Sequence, residues 1–131
     1  MNLIVIDANV WIRFARNKDI SPVALRLYKY KFVPVINQYL LSEVFDALVN
    51  NKWMNEKQAM QLLSLLRQIC YQTTEIAVYR ISPDPKDNYL FDLAIQNSCP
   101  FIVSDDNKLL SFRFQLVKVK STNWFLKNFP L

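Results

Sequence analysis

Leu3-Ile4-Val5-Ile6-Asp7-Ala8-Asn9 places four consecutive apolar residues directly before an acid. A continuous apolar run without polar alternation reads as a strand buried on both faces, the kind found in parallel sheets. An acid that closes such a strand is costly to bury unless its charge is paired or bound. Asp7 is therefore a candidate site residue, with a cap or turn role as the structural alternative. Asn9 then stands where it can cap a helix over residues 10–16.

Working outward, residues 32–36 read as a second short strand, irregular at Pro34. The basic stretch over residues 26–31 leads into it. A helix is expected over residues 38–50. Asn55 and Gln58 have capping-box spacing before another helix that runs to about residue 69. The β-branched residues 74–78 suggest a third strand. Pro83 and Pro85 break the chain before a helix over about residues 86–97. Residues 101–104 form a fourth strand, 107–110 a short helical turn, 116–119 a fifth, edge strand, and 121–129 a final helix. Strands alternating with helices imply an α/β fold: a central, mostly parallel sheet of about five strands with helices on both faces. With 131 residues and 52% hydrophobic content, the chain reads as one domain, residues 1–131.

Composition narrows the chemistry. There is no histidine, which excludes His-based acid–base catalysis and His-ligated zinc. There is no glycine either, where average usage would give about nine, so glycine-dependent phosphate loops are excluded. Carboxylates remain, and they suit hard divalent cations. The net charge is +5, but residues 84–106 hold Asp84, Asp87, Asp92, Asp105 and Asp106 against Lys86 alone. Residues 107–131 carry Lys108, Arg113, Lys118, Lys120 and Lys127 and no acid. Residues 10–31 are also basic, with Arg13, Arg16, Lys18, Arg26, Lys29 and Lys31 against Asp19. An acidic cluster in a basic protein suits a cation-binding site that meets phosphates. Cys70 and Cys99 have no ligand spacing, and no apolar run reaches membrane-span length. Nothing near residue 1 resembles a signal peptide, so a reduced, cytoplasmic protein is expected.

In open parallel sheets the site lies beyond the carboxyl ends of the strands. Asp7 closes strand one there, and Asp105 and Asp106 follow strand four. Glu43 falls roughly 7–8 Å along the helix after strand two, still near that rim. Asp87 begins the helix after strand three. Asp92, five residues later, is rotated about 140° away from it and is left out. Capping alone would also account for Asp84 and Asp87, and for Ser104, Asp105 and Asp106.

Four stretches together resemble the PIN-domain family. Leu3 to Asn9 resembles its opening motif. Asn37-Gln38-Tyr39-Leu40-Leu41-Ser42-Glu43 resembles the second. Asp84-Pro85-Lys86-Asp87-Asn88-Tyr89-Leu90-Phe91-Asp92-Leu93-Ala94 resembles the third motif of one branch, and Ile102-Val103-Ser104-Asp105-Asp106-Asn107-Lys108-Leu109-Leu110 the fourth. That branch comprises toxin nucleases of toxin–antitoxin pairs. The resemblance implies a three-layer PIN-like fold and a metal-dependent ribonuclease using Mg²⁺ or Mn²⁺. Asp7, Glu43, Asp87 and Asp106 would be both catalytic and metal-holding, and Asn9 and Ser104 would orient the site. It further implies single-stranded RNA as substrate and an antitoxin protein as partner, leaves room for a homodimer and involves no membrane.

Two positions depart from the motif. Asp105 replaces a glycine, so it is a second candidate for the fourth acid, or a backbone substitution at a positive-φ position. On that basis Asp105→Gly should be near-neutral for cleavage. Lys108 replaces a second Asp, which removes a negative charge. The altered motif keeps open an alternative, a catalytically inactive PIN-like domain that binds RNA or a protein. A phospho-acceptor receiver is a weaker rival, because Asp7-Ala8-Asn9 lacks an acid pair and residues 32–36 end in Asn37. Trp11, Trp53 and Trp124 could stack on bases, but aromatics in such a domain more often serve the core, and none is assigned that role.

Overall fold

The computed structural model describes residues 2–74 and 78–131. Five strands, β1 (Asn2–Ile6), β2 (Phe32–Ile36), β3 (Tyr71–Gln72), β4 (Phe101–Val103) and β5 (Lys118–Lys120), form one sheet in the order β3-β2-β1-β4-β5. Every pairing is parallel. The helices are α1 (Ala8–Arg16), α2 (Ser21–Tyr30), α3 (Gln38–Asn50), α4 (Glu56–Ile69), α5 (Asn88–Gln96), α6 (Asn107–Ser111) and α7 (Thr122–Asn128), with a 3₁₀ turn at Pro85–Asp87 before α5.

The period-2 alternation of the central strands explains the three layers. Ile4, Ile6, Ile36, Phe101 and Val103 join one core with residues of α1, α2, α3, α4 and α7. Val5, Val35 and Ile102 face the other way, onto Leu90, Phe91, Leu93 and Ala94 of α5. The expected α/β fold with a parallel five-stranded sheet and helices on both faces is therefore the one observed. Among the described residues, no helix is long and apolar enough to cross a membrane.

The chain moves outward from β1 to β3, then returns past β1 to form β4 on its other side. That reversal falls between β1 and β4, and the carboxyl ends of strands at such a switch point are where this class of sheet binds its ligands. Two sequence expectations need correction. The basic stretch before β2, read only as leading into that strand, is the end of α2, a helix that starts at Ser21-Pro22 and buries Val23 and Leu27. Proline early in a first turn was the available signal. The third strand lies at Tyr71–Gln72 instead of residues 74–78. Thr74 and Val78 are not in a strand, and residues 75–77 lie outside the described residues. With no glycine available, Lys18, Lys31, Lys52, Arg80 and Ser98 adopt left-handed backbone with φ between 54° and 60°. Lys31 does so at the end of α2, where its N–H donates to the carbonyls of Leu27 and Tyr28.

Candidate active site

Asp7 follows the last residue of β1, and its backbone N–H donates to Val103 O at 2.8 Å, extending the β1–β4 ladder. It is only 5% exposed. Asp7, not Asn9, occupies the N-cap position of α1, yet its side chain makes no capping hydrogen bond. The carboxylate is held from the side instead. Ser104 Oγ donates to Asp7 Oδ2 at 2.8 Å, and Asn9 Nδ2 donates to the same oxygen at 3.1 Å. Asn9 Nδ2 also lies 3.3 Å from Ser104 Oγ, and Asn9 Oδ1 accepts from Asp105 N at 3.4 Å. Asn9 and Ser104 thus fasten the end of β1 to the end of β4 around one carboxylate.

The adjacent acids after β4 diverge. Asp106 N–H donates to Ser104 Oγ at 3.1 Å, while Asp106 Oδ1 caps α6 by accepting from Lys108 N at 2.8 Å and Leu109 N at 3.4 Å. Asp105 turns to α7 and accepts from Thr122 N at 2.9 Å and Thr122 Oγ1 at 2.7 Å. Its other contact is an ion pair with Arg13 at 3.3 Å. Asp105 does not have positive φ, so the expected left-handed glycine-like backbone is not what this position needs. Its carboxylate has a structural task that a glycine could not perform. Asp105→Ala should therefore cost about 1–2 kcal/mol of stability, the loss of a helix-terminal acceptor, and leave cleavage within about twofold. Asp106→Asn keeps a good cap but removes the charge, so stability should hold while metal-dependent cleavage falls at least about tenfold. Urea titrations and single-turnover kinetics on both variants check this pair.

Asp84 and Asp87 also separate. Asp84 Oδ1 accepts from Lys86 N at 3.3 Å, which is ordinary capping of the 3₁₀ turn. Asp87 stands at the start of α5 but makes no side-chain cap bond. It is buried, and its Oδ2 has no hydrogen-bond partner. Capping therefore explains Asp84 and leaves Asp87 unexplained. Asp92 accepts from Tyr79 N at 2.8 Å, a tether for the segment before α5.

Electrostatics link the acids. Burial raises Asp7 to about 6, with Glu43 pushing further in the same direction and Ser104 opposing. Asp87 also rises to about 6, through burial first and then the negative charges of Asp7, Asp106 and Asp84, against the pull of Lys86. Glu43, exposed on α3, is raised by desolvation and by Asp87, and lowered by Tyr89 and Lys86. The Tyr89 hydroxyl is buried against Glu43, Asp7 and Asp87 and held well above its ordinary range. No hydrogen bond of good geometry closes on that hydroxyl, so its link to Glu43 is an electrostatic contact. Asp7 thus feels Glu43, Glu43 feels Asp87, and Asp87 feels Asp7 and Asp106, a chain of influence across four separate segments of sequence.

These groups suit a hard cation: every donor is a carboxylate oxygen, and a buried one is orphaned. The acids do not form a closed ligand set, since among the described residues no three acidic or thiol groups converge closely enough to hold an ion together. Cys70 and Cys99 are buried, free and both pushed up to about 12, which makes them inert core residues.

A comparison with curated proteins found no match. The sequence matches the PIN domain family over residues 3–108, which takes in β1 through the start of α6 and all four acids. PIN domains are generally nucleases and typically use divalent metal ions. With that match spanning most of the 131 residues, and with acids set at the carboxyl ends of β1 and β4 where the parallel sheet reverses, this chain belongs to the PIN domain family.

Proposed function

We propose that this protein is a Mg²⁺- or Mn²⁺-dependent endoribonuclease acting on single-stranded RNA, and the toxin of a toxin–antitoxin pair. The observation that carries the nuclease reading is Asp87 Oδ2, buried without a partner beside other acids. A solvated carboxylate gains nothing from such a position, and an uncompensated buried charge destabilises the fold. Asp7, Glu43, Asp87 and Asp106 would hold the ion. When bound, such an ion supplies Lewis acidity toward water and phosphate oxygens. The chain's own contribution is positional. Ser104 and Asn9 fix the Asp7 carboxylate, and the α6 cap fixes one oxygen of Asp106. Tyr89 sets a buried hydroxyl against Glu43, and Lys86, paired with Asp84, offers a cation at the edge of the acids. No side-chain nucleophile is required. The basic flanks attract a polyanion, and an antitoxin would act by covering this site, with a basic side chain set among the acids.

The test is cleavage of a labelled single-stranded oligoribonucleotide with Mn²⁺, Mg²⁺ or EDTA, paired with induced expression in cells. Cleavage should need the metal, and growth inhibition should be lost in Asp7→Asn. RNA binding without metal-dependent cleavage would favour an inactive RNA-binding PIN domain. Equal growth inhibition by wild type and Asp7→Asn would refute nuclease action as the cause of toxicity.

A further inference from the structure

Tyr39 lies in the first turn of α3, just past the carboxyl end of β2, and 66% of its surface is exposed. Sequence periodicity places it beside the apolar stripe of α3, but the buried residues of that helix are Leu40, Leu41, Val44 and Leu48. Tyr39 is four residues before Glu43, so the two share a helix face, with Tyr39 nearer the rim. Its ring centroid is 6.2 Å from that of Tyr89, with the planes inclined by 33°. Tyr89 in turn carries the buried hydroxyl that faces Glu43, Asp7 and Asp87. One aromatic ring thus forms part of the site wall, and a second leans on it and opens to solvent. Lys86, with a side chain 75% exposed, acts electrostatically on both Glu43 and Asp87.

We propose that Tyr39, braced by Tyr89, is the stacking surface for the nucleobase adjacent to the phosphate held at the acids. The proposal deepens the nuclease reading and rests on it. An open ring on the same helix face as Glu43, with Lys86, ion-paired to Asp84 at 3.7 Å, acting on Glu43 and Asp87, combines the stacking face and the cation that single-strand binding sites use, because every base presents a π face. In a duplex those faces are already stacked on neighbours, so the arrangement selects unpaired strand. A protein ligand would not need the ring to sit beside the hydrolytic acids.

The experiment uses the full chain and single-stranded oligoribonucleotides, one series carrying 2-aminopurine in place of a base near the cleavage position. Cleavage is followed in Mn²⁺, and fluorescence quenching in Ca²⁺. Tyr39→Ala and Tyr39→Leu should raise KM about tenfold with kcat within about twofold, and should lose the quenching. Tyr39→Phe, which keeps the ring, should rescue both. Thermal melts verify that the variants fold. Wild-type cleavage with unchanged KM and quenching in Tyr39→Ala overturns the stacking role and leaves the nuclease standing. Tyr39-dependent quenching without cleavage by wild type supports stacking and removes the nuclease reading. Absence of both overturns the two together, and a change in kcat alone overturns stacking.

Discussion

Asp87→Asn should lower metal-dependent RNA cleavage at least about a thousandfold, some 4 kcal/mol of transition-state stabilisation, while the metal-free protein stays as stable as wild type or becomes more so. The change is nearly isosteric and removes one charge from a group that feels Asp7, Asp106 and Asp84. No side-chain cap bond is lost, because Asp87 makes none to α5. A structural acid would behave in the opposite way, since its neutralisation would leave donors unpaired. Single-turnover kinetics in Mn²⁺ and thermal melts in EDTA measure the two effects separately. A melting temperature lowered by more than about 5 °C, with cleavage retained, would assign Asp87 to the framework.

The metal-free protein should lose stability as pH rises from about 4 to about 6. Asp7 and Asp87 are raised to about 6 in the folded protein, from an ordinary value of 3.8. Between those values the folded state holds protons that the unfolded chain has released, so stability declines with rising pH. Above both values the loss is complete. Each shift alone corresponds to roughly 3 kcal/mol. The two acids are coupled and Asp87 is partly screened, so a combined loss on the order of 3 kcal/mol is expected. Asp19, held low by Ser21, works in the opposite sense from the surface. Urea unfolding in EDTA at pH 5 and pH 7.5 captures about half of that loss, and Mn²⁺ should abolish most of the difference at pH 7.5 by linkage. A midpoint higher at pH 7.5 than at pH 5 without metal would mean that the acids are compensated within the fold.

Much of this was legible from two kinds of signal. Continuous apolar runs identified β1, β2 and β4, and acids just past the carboxyl ends of β1 and β4 identified the candidate rim, because parallel sheets bind ligands there whatever the chemistry. Asn9 and Ser104 were legible only through resemblance; neither has a periodicity of its own. Local reading failed where tertiary context decided. α2 was hidden by its lysines and arginine, which ride on a helix whose buried side is only Val23 and Leu27. β3 is two residues long and exposed, so no hydrophobic pattern marks it. Asp105 was misjudged because its partners, Thr122 and Arg13, are far away in sequence.

The Asp7–Ser104 bond joins residues 97 apart in sequence, and this separation has a bearing on when the candidate site can assemble. Contacts of such long range cannot form until both partners exist, and they carry a loop-closure cost that delays them further. β4 can dock beside β1 only after about a hundred further residues have been synthesised, and Asp106 comes later still. During translation at about 5–20 residues per second, the emerging chain holds Asp7, Glu43 and Asp87 without the strand that brings the fourth acid. A PIN domain built in this order cannot complete its candidate site until residue 106 has emerged and β4 has docked.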